Sequence, residues 1–133
     1  LDEISLSDCS GKTVILNIFP SVDTSTCAQS VRTFNQRATE RPDAVVLNVS
    51  MDLPFALKRF CAAEGIERAE AASVFRSGFP TAYGVALTDG PLQGLCARAV
   101  VVVGPDGLVR HTQLVAEIAD EPDYDAALQA AAG

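Results

Sequence analysis

The stretch TVILNIFPSVDTSTCAQSVRTF, Thr13–Phe34, carries the chain out of a buried strand into a helix, and the rest of the sequence is read outward from it. Thr13–Phe19 is a nearly continuous apolar run with β-branched residues, as a strand buried on both faces requires. Pro20 stops it, since proline has no N–H for a sheet ladder. Asp23 and Thr24 then offer helix N-caps, and Cys27, Val31, Phe34 and Ala38 recur at helical spacing. Cys27 therefore falls in the first turn of a helix, at the carboxyl end of a strand, where open α/β sheets bind ligands. A helix N-terminus presents unpaired N–H groups and a partial positive charge, which favour thiolate over thiol. Thr24, three residues earlier, can turn its hydroxyl toward the sulfur or toward an oxygen bound beside it, and Pro20 stiffens the approach. The plainer alternative is a packed helix cysteine, because free Cys is often buried.

Outward from this unit, Arg41-Pro42-Asp43 breaks the helix and Ala44–Ser50 reads as a second buried strand. Asp52 and Pro54 open the next helix. Leu53, Ala56, Leu57, Phe60 and Cys61 make one apolar stripe on it, and Gly65 ends it. Residues 66–96 are punctuated by Gly78, Pro80, Gly84, Gly90, Pro91 and Gly94 into loops and short pieces. Ala97–Val103 is a third apolar strand. The turn Gly104-Pro105-Asp106-Gly107 should return Leu108–Leu114 as its hairpin partner. Asp120-Glu121-Pro122 precedes a last helix, Asp123–Ala132. The order predicts an α/β sheet covered by helices, in a single domain over residues 1–133.

Composition narrows the function classes. A chain of 133 residues builds one core, and 48% apolar residues argue against disorder. The net charge of −7, with basic residues scattered, disfavours nucleic acid and anionic membrane surfaces as partners. Ala99–Val103, the longest apolar stretch, is far short of a membrane span. Leu1-Asp2-Glu3-Ile4 is acidic, unlike a signal peptide, and opens without Met, as a piece of a longer chain would. The four cysteines, at 9, 27, 61 and 96, include no C-x-x-C pair, and the single His, His111, is far from any of them in the sequence. A zinc site or a thioredoxin-type dithiol is thus poorly supported, and no cofactor is expected. Functional thiols in a reducing cytoplasm are the better expectation than a disulfide scaffold.

Pro20, Thr24 and Cys27 match, position for position, the P-x-x-x-T-x-x-C active-site signature of peroxiredoxins. The strings FPSVDTSTCAQSVRTF (Phe19–Phe34), MDLPFALKRFCAAEG (Met51–Gly65), YGVALTDGPLQGLCARAVVVVG (Tyr83–Gly104) and LVAEIADEPDYDAAL (Leu114–Leu128) resemble the bacterial thiol peroxidase subfamily. The resemblance covers nearly the whole chain. It implies a thioredoxin-like fold, a central mixed β-sheet flanked by helices. The N-terminal hairpin usual in the subfamily is missing from the sequence as given.

The resemblance also implies roles. Cys27 would be the peroxidatic cysteine, Thr24 would position the peroxide, Pro20 would shield the sulfur, and Arg98 would be the active-site arginine. Alone, Arg98 could be a solvated strand-edge charge, but its apolar surroundings argue against that, since a buried Arg needs a partner. Cys61 takes the place of the resolving cysteine, joining Cys27 in an intramolecular disulfide that thioredoxin reduces. Without the resemblance Cys61 reads as core. Position 32 is Arg, which excludes a branch resolving through a cysteine five residues after the first, and no cysteine follows Cys96. Cys9 and Cys96 match no family motif. Cys96, two residues before Arg98, could share its side of a strand, although a small core or loop residue is the simpler account. His111 reads as a strand-surface residue. A homodimer is implied, with the loop near Cys27 and the 78–95 region at its interface. So are hydrogen peroxide and alkyl hydroperoxides as substrates. The alternative in another class is a peroxide sensor that forms the same disulfide without scavenging.

Overall fold

Along Thr13–Ile18 every residue is buried, so both faces of this strand (β1) must be covered. In the computed structural model, which describes residues 5–9, 11–117 and 119–132, β1 lies at the centre of a five-stranded sheet. The acidic opening Leu1–Ile4 lies outside the described residues. The other strands are β2 (Ala44–Ser50), β3 (Glu70–Ser73), β4 (Ala99–Val103) and β5 (Val109–Leu114), and the order is β3-β2-β1-β4-β5. β1, β2 and β3 are parallel, with Ile15 opposite Val46 and Asn48 opposite Ala71. β4 is antiparallel to β1 and β5 to β4, with Ile15 opposite Val102 and Val102 opposite His111. The sheet is therefore mixed, as expected.

Alternation along the strands divides the core. Ile15, Val46, Val100 and Val102 face one way and pack with Phe34 of α1 (Ser25–Arg37) and Leu128 of α4 (Tyr124–Ala132). Phe34 and Tyr124 join these helices edge to face, with ring centroids 5.0 Å apart. Val14, Leu16, Ile18, Leu47, Val49, Ala99 and Val101 face the other way, against Cys9, Val74, Val85 and Cys96. Phe79 and Tyr83, stacked 4.1 Å apart at α3 (Phe79–Ala82), close that side. α2 (Pro54–Glu64) connects β2 to β3 and packs along β3.

Three expectations need correction. β3 falls in the stretch 66–96, whose glycines and prolines suggest loops and short pieces. Its Glu-Ala-Ala-Ser sequence has little intrinsic β-propensity, and pairing with β2 makes it a strand. The apolar stripe of α2 is narrower than its sequence suggests. Only Leu57 is buried, and Leu53 is 48% exposed, because the helix covers the short side of the sheet. Cys96 does not share the side of Arg98. It forms an isolated bridge with Ala86 and packs with the residues facing away from α1. The regular strand starts only at Ala99, so alternation cannot be carried back to position 96.

Candidate active site

The site grows from the junction of β1 and α1. Phe19 and Pro20 are buried, and the Phe19 N–H donates to the Val49 carbonyl, so the chain leaves the sheet under control of β2. Thr24 is the N-cap of α1 by backbone geometry, with φ −101° and ψ 144°. Its side chain makes no cap hydrogen bond. The hydroxyl donates instead to the Ser21 carbonyl at 3.0 Å. The first-turn N–H groups of α1 are thus not taken by the cap side chain, and helix geometry gives them no partner of their own. Of the two expected partners, the sulfur or a bound oxygen, this turn-closing bond leaves the second, since the oxygen lone pairs of the exposed hydroxyl can still accept.

Cys27 is completely buried, packed with Phe19, Val22, Val31 and Leu57. Arg98, just before β4, reaches it across the sheet, and its Nη2 donates to Cys27 Sγ at 3.3 Å. Arg98 is only 1% exposed and is the largest fully buried side chain, so it is not a solvated strand-edge charge. A fixed guanidinium against a sulfur in a water-poor pocket stabilises negative charge on that sulfur and on any oxygen leaving it. Pro20, Thr24, Cys27 and Arg98 are thereby brought to the carboxyl end of β1.

Cys61 is on α2, half-buried, and burial pushes its thiol above the ordinary 9.0. All four cysteines are free thiols. α2 approaches α1 through Leu57 and Phe60 beside Cys27, through the Arg32–Glu64 ion pair, and through Arg32 over the Phe60 ring. Cys96 is fully buried, and burial, with Asp52 adding to it, pushes its thiol up to about 11. Cys9 is buried on the same side of the sheet, and burial likewise raises its thiol. Neither contacts the Cys27–Arg98 pair. His111 is half-buried on β5, with its Nε2 shut away from solvent.

Several polar residues at this site carried no signal in the sequence. Asp52, read as a helix opener, clasps the loop before Cys27. Its carboxylate accepts from the Ser21 hydroxyl at 2.7 Å, the Val22 N–H at 2.9 Å and the Ser50 hydroxyl at 2.7 Å. Asn17, Ser30 and Asn48, all with no exposed surface, form a chain of hydrogen bonds beneath α1. Asn17 and Asn48 interrupt apolar strands at directly opposed positions, and that parity was the available clue. Among the described residues, no cluster of His, Cys, Asp and Glu could hold a metal ion.

Comparison with known proteins gives the family. Residues 1–128 match the Redoxin family. The chain is 59% identical over 130 residues to a thiol peroxidase of Mycobacterium tuberculosis, covering 98% of this chain and 78% of that protein. It is 55% identical to the thiol peroxidase of Corynebacterium glutamicum, covering 98% of this chain and 79% of that protein. Among solved structures, a peroxiredoxin-like protein from Aquifex aeolicus superposes with a TM-score of 0.89 at 37% identity, over 92% of this chain and 72% of that one. A buried cysteine at a strand-to-helix turn, an arginine on its sulfur and relatives this similar over nearly all of its length place one conclusion beyond the fold: the chain belongs to the redoxin family, in the thiol peroxidase branch of the peroxiredoxins.

Proposed function

We propose that the protein reduces hydroperoxides at Cys27 and is recycled through a disulfide with Cys61. The observation that carries this is the Arg98 guanidinium on Cys27 Sγ at the start of α1. The Cys27 thiolate attacks the terminal oxygen of ROOH. An S–O bond forms, the O–O bond breaks, and RO⁻ leaves to take a proton as ROH, while sulfur is oxidised to the sulfenic acid. Arg98 and the first-turn N–H groups stabilise the charge that moves onto the departing oxygen. Thr24, whose own proton is committed to Ser21, accepts the hydroperoxide O–H and orients it. Pro20 walls the pocket. Cys61 then displaces hydroxide from the sulfenic sulfur, releasing water and forming Cys27–Cys61. A thioredoxin-type dithiol returns both to thiols.

The protein acts in the cytoplasm, where thiols that must cycle are kept reduced; no helix among the described residues is long and apolar enough to cross a membrane. It works as a homodimer, joined around the loop before Cys27 and the 78–95 region. Phe55 and Phe75, 64% and 54% exposed after the carboxyl ends of β2 and β3, are apolar surface for such a contact. The decisive assay is peroxide consumption driven by thioredoxin, with each cysteine replaced in turn. Catalytic turnover supports a scavenger; formation of the disulfide without turnover would make the protein a sensor.

Arg98→Met keeps most of the buried volume while removing charge and donors, so it separates chemistry from packing better than Arg98→Ala. It should slow the reaction of reduced protein with peroxide by about a hundredfold, the usual scale for losing one such donor. Stopped-flow oxidation read alongside thermal melting checks this. A rate constant and pH–rate profile unchanged from the parent would remove Arg98 from the mechanism.

Cys9 and Cys96 are buried away from the Arg98 contact, and burial keeps both thiols protonated at neutral pH. The double replacement Cys9→Ala with Cys96→Ala should keep most thioredoxin-dependent turnover. Loss of recycling in Cys96→Ala alone would make Cys96, not Cys61, the resolving thiol.

A further inference from the structure

Cys27 is held by its backbone as well as by its sulfur. The Ser30 hydroxyl, one turn further along α1, donates to the Cys27 carbonyl at 2.7 Å. Ser30 Oγ in turn accepts from Asn17 Nδ2 at 3.2 Å, from the centre of β1. Asn17 Nδ2 also donates to Asn48 Oδ1 on β2 at 2.9 Å, and Asn48 Nδ2 donates to the Glu70 carbonyl on β3 at 3.2 Å. Three strands are thus tied to the peptide of the reactive cysteine through side chains with no exposed surface. Such an arrangement is costly to bury and more costly to break, since each member left behind stays in a dry interior without its partner.

We propose that Ser30, supported by Asn17, is a positioning residue that latches the first turn of α1 and so sets the partition of oxidised Cys27 between disulfide and over-oxidation. The proposal rests on the Cys27–Cys61 pairing given above. Two reactions compete for the sulfenic acid. In one, Cys27–SOH and Cys61–SH give Cys27–S–S–Cys61 and water. In the other, a second hydroperoxide transfers an oxygen, giving Cys27–SO₂H and ROH. The first needs Cys27 to leave its pocket, which takes its carbonyl away from Ser30. The second needs only the folded pocket. A firm latch favours the second reaction, and a loose one favours the first. Ser30 itself touches neither sulfur nor peroxide; its hydroxyl is spent on the Cys27 carbonyl and on Asn17.

Ser30→Ala removes one hydroxyl and leaves the helix otherwise unchanged. Disulfide formation after a single peroxide pulse should accelerate about fivefold, the worth of one buried hydrogen bond. The peroxide concentration that over-oxidises half of Cys27 in turnover should rise by a similar factor, while the rate of the first oxidation stays within about twofold. Ser30→Thr, which restores a hydroxyl able to bond the same carbonyl, should return both values toward the parent. Asn17→Leu, which leaves the Ser30–Cys27 bond in place but without support, should shift the partition in the same direction by less. Melting temperatures show whether each variant is folded. If Ser30→Ala is folded and its partition matches the parent, or if disulfide formation slows, the latch is refuted. If Ser30→Ala does not fold, an unchanged partition in folded Asn17→Leu refutes it. Peptide mapping of the peroxide-treated parent separates the two levels: absence of a Cys27–Cys61 link overturns the pairing itself, whatever the variants do.

Discussion

Replacing Cys27 with Ser should reduce peroxide consumption to the uncatalysed rate, a loss on the order of 10⁴-fold or more, as when a nucleophile is removed from other enzymes. The substitution changes one atom at a site with no exposed surface, so the surrounding Phe19, Val22, Val31 and Leu57 can stay in place. What is lost is chemistry. A serine hydroxyl is not ionised near neutral pH and is a poor nucleophile toward an O–O bond without a base beside it. The charged group on this sulfur is Arg98, a donor that cannot accept a proton. Turnover with thioredoxin and a hydroperoxide, together with the melting temperature, checks this. Substantial residual activity in folded Cys27→Ser would remove the catalytic assignment.

The residues that could be read in advance have local signals. β1 and α1 are legible because a long apolar run ends at Pro20, with caps and helical spacing after it. β2 is legible at its full length, Ala44–Ser50, as an apolar run after a break, and α2 runs from Pro54 to the left-handed Gly65 that ends it. What escaped depends on distant partners. β3 is a strand because β2 pairs with it, and nothing in Glu70–Ser73 says so alone. Ser21 and Asp52 meet across 31 positions, and Ser30 looks like an ordinary polar residue on α1 until Asn17 is found beneath it. Cys96 is the small core residue that the simpler account expects; the alternative of sharing a side with Arg98 fails because strand alternation does not extend back past the start of the strand. Arg98 was legible through the family resemblance, with its apolar neighbours weighing against a solvated edge charge; it is buried, with Nη2 donating to Cys27 Sγ.

Cys61→Ser should permit one oxidation and then stop. Two cysteines join only when their Cα atoms come within about 7 Å. In the reduced protein the Cys27 sulfur is turned to Arg98, which enters from the β4 side of β1, whereas α2 lies along β3 on the other side. α1 and α2 meet through Leu57 and Phe60 packed beside Cys27 and through Arg32 with Glu64 and the Phe60 ring. Cys27 sits in the first turn of α1 with its sulfur on Arg98, and Cys61 sits in the last turn of α2, so the proposed disulfide should need the first turn of α1, the end of α2, or both to unwind, a motion available at modest free energy near helix ends. Unwinding also frees Cys61 from the burial that raises its thiol, so the step should quicken as pH rises from about 7 toward 9, where more of it is thiolate. Without Cys61 the sulfenic acid has no thiol to meet. It should accumulate after one equivalent of peroxide and pass to sulfinic acid under excess, with steady-state turnover reduced to the background rate. Mass spectrometry of Cys27 after stoichiometric and excess peroxide, with hydrogen exchange of α1 and α2 in both redox forms of the parent, measures each step. A Cys27–Cys61 link without added exchange at either helix would refute the unwinding, and sustained thioredoxin-dependent turnover in Cys61→Ser would refute the pairing, because only a second thiol can resolve the sulfenic acid within the chain.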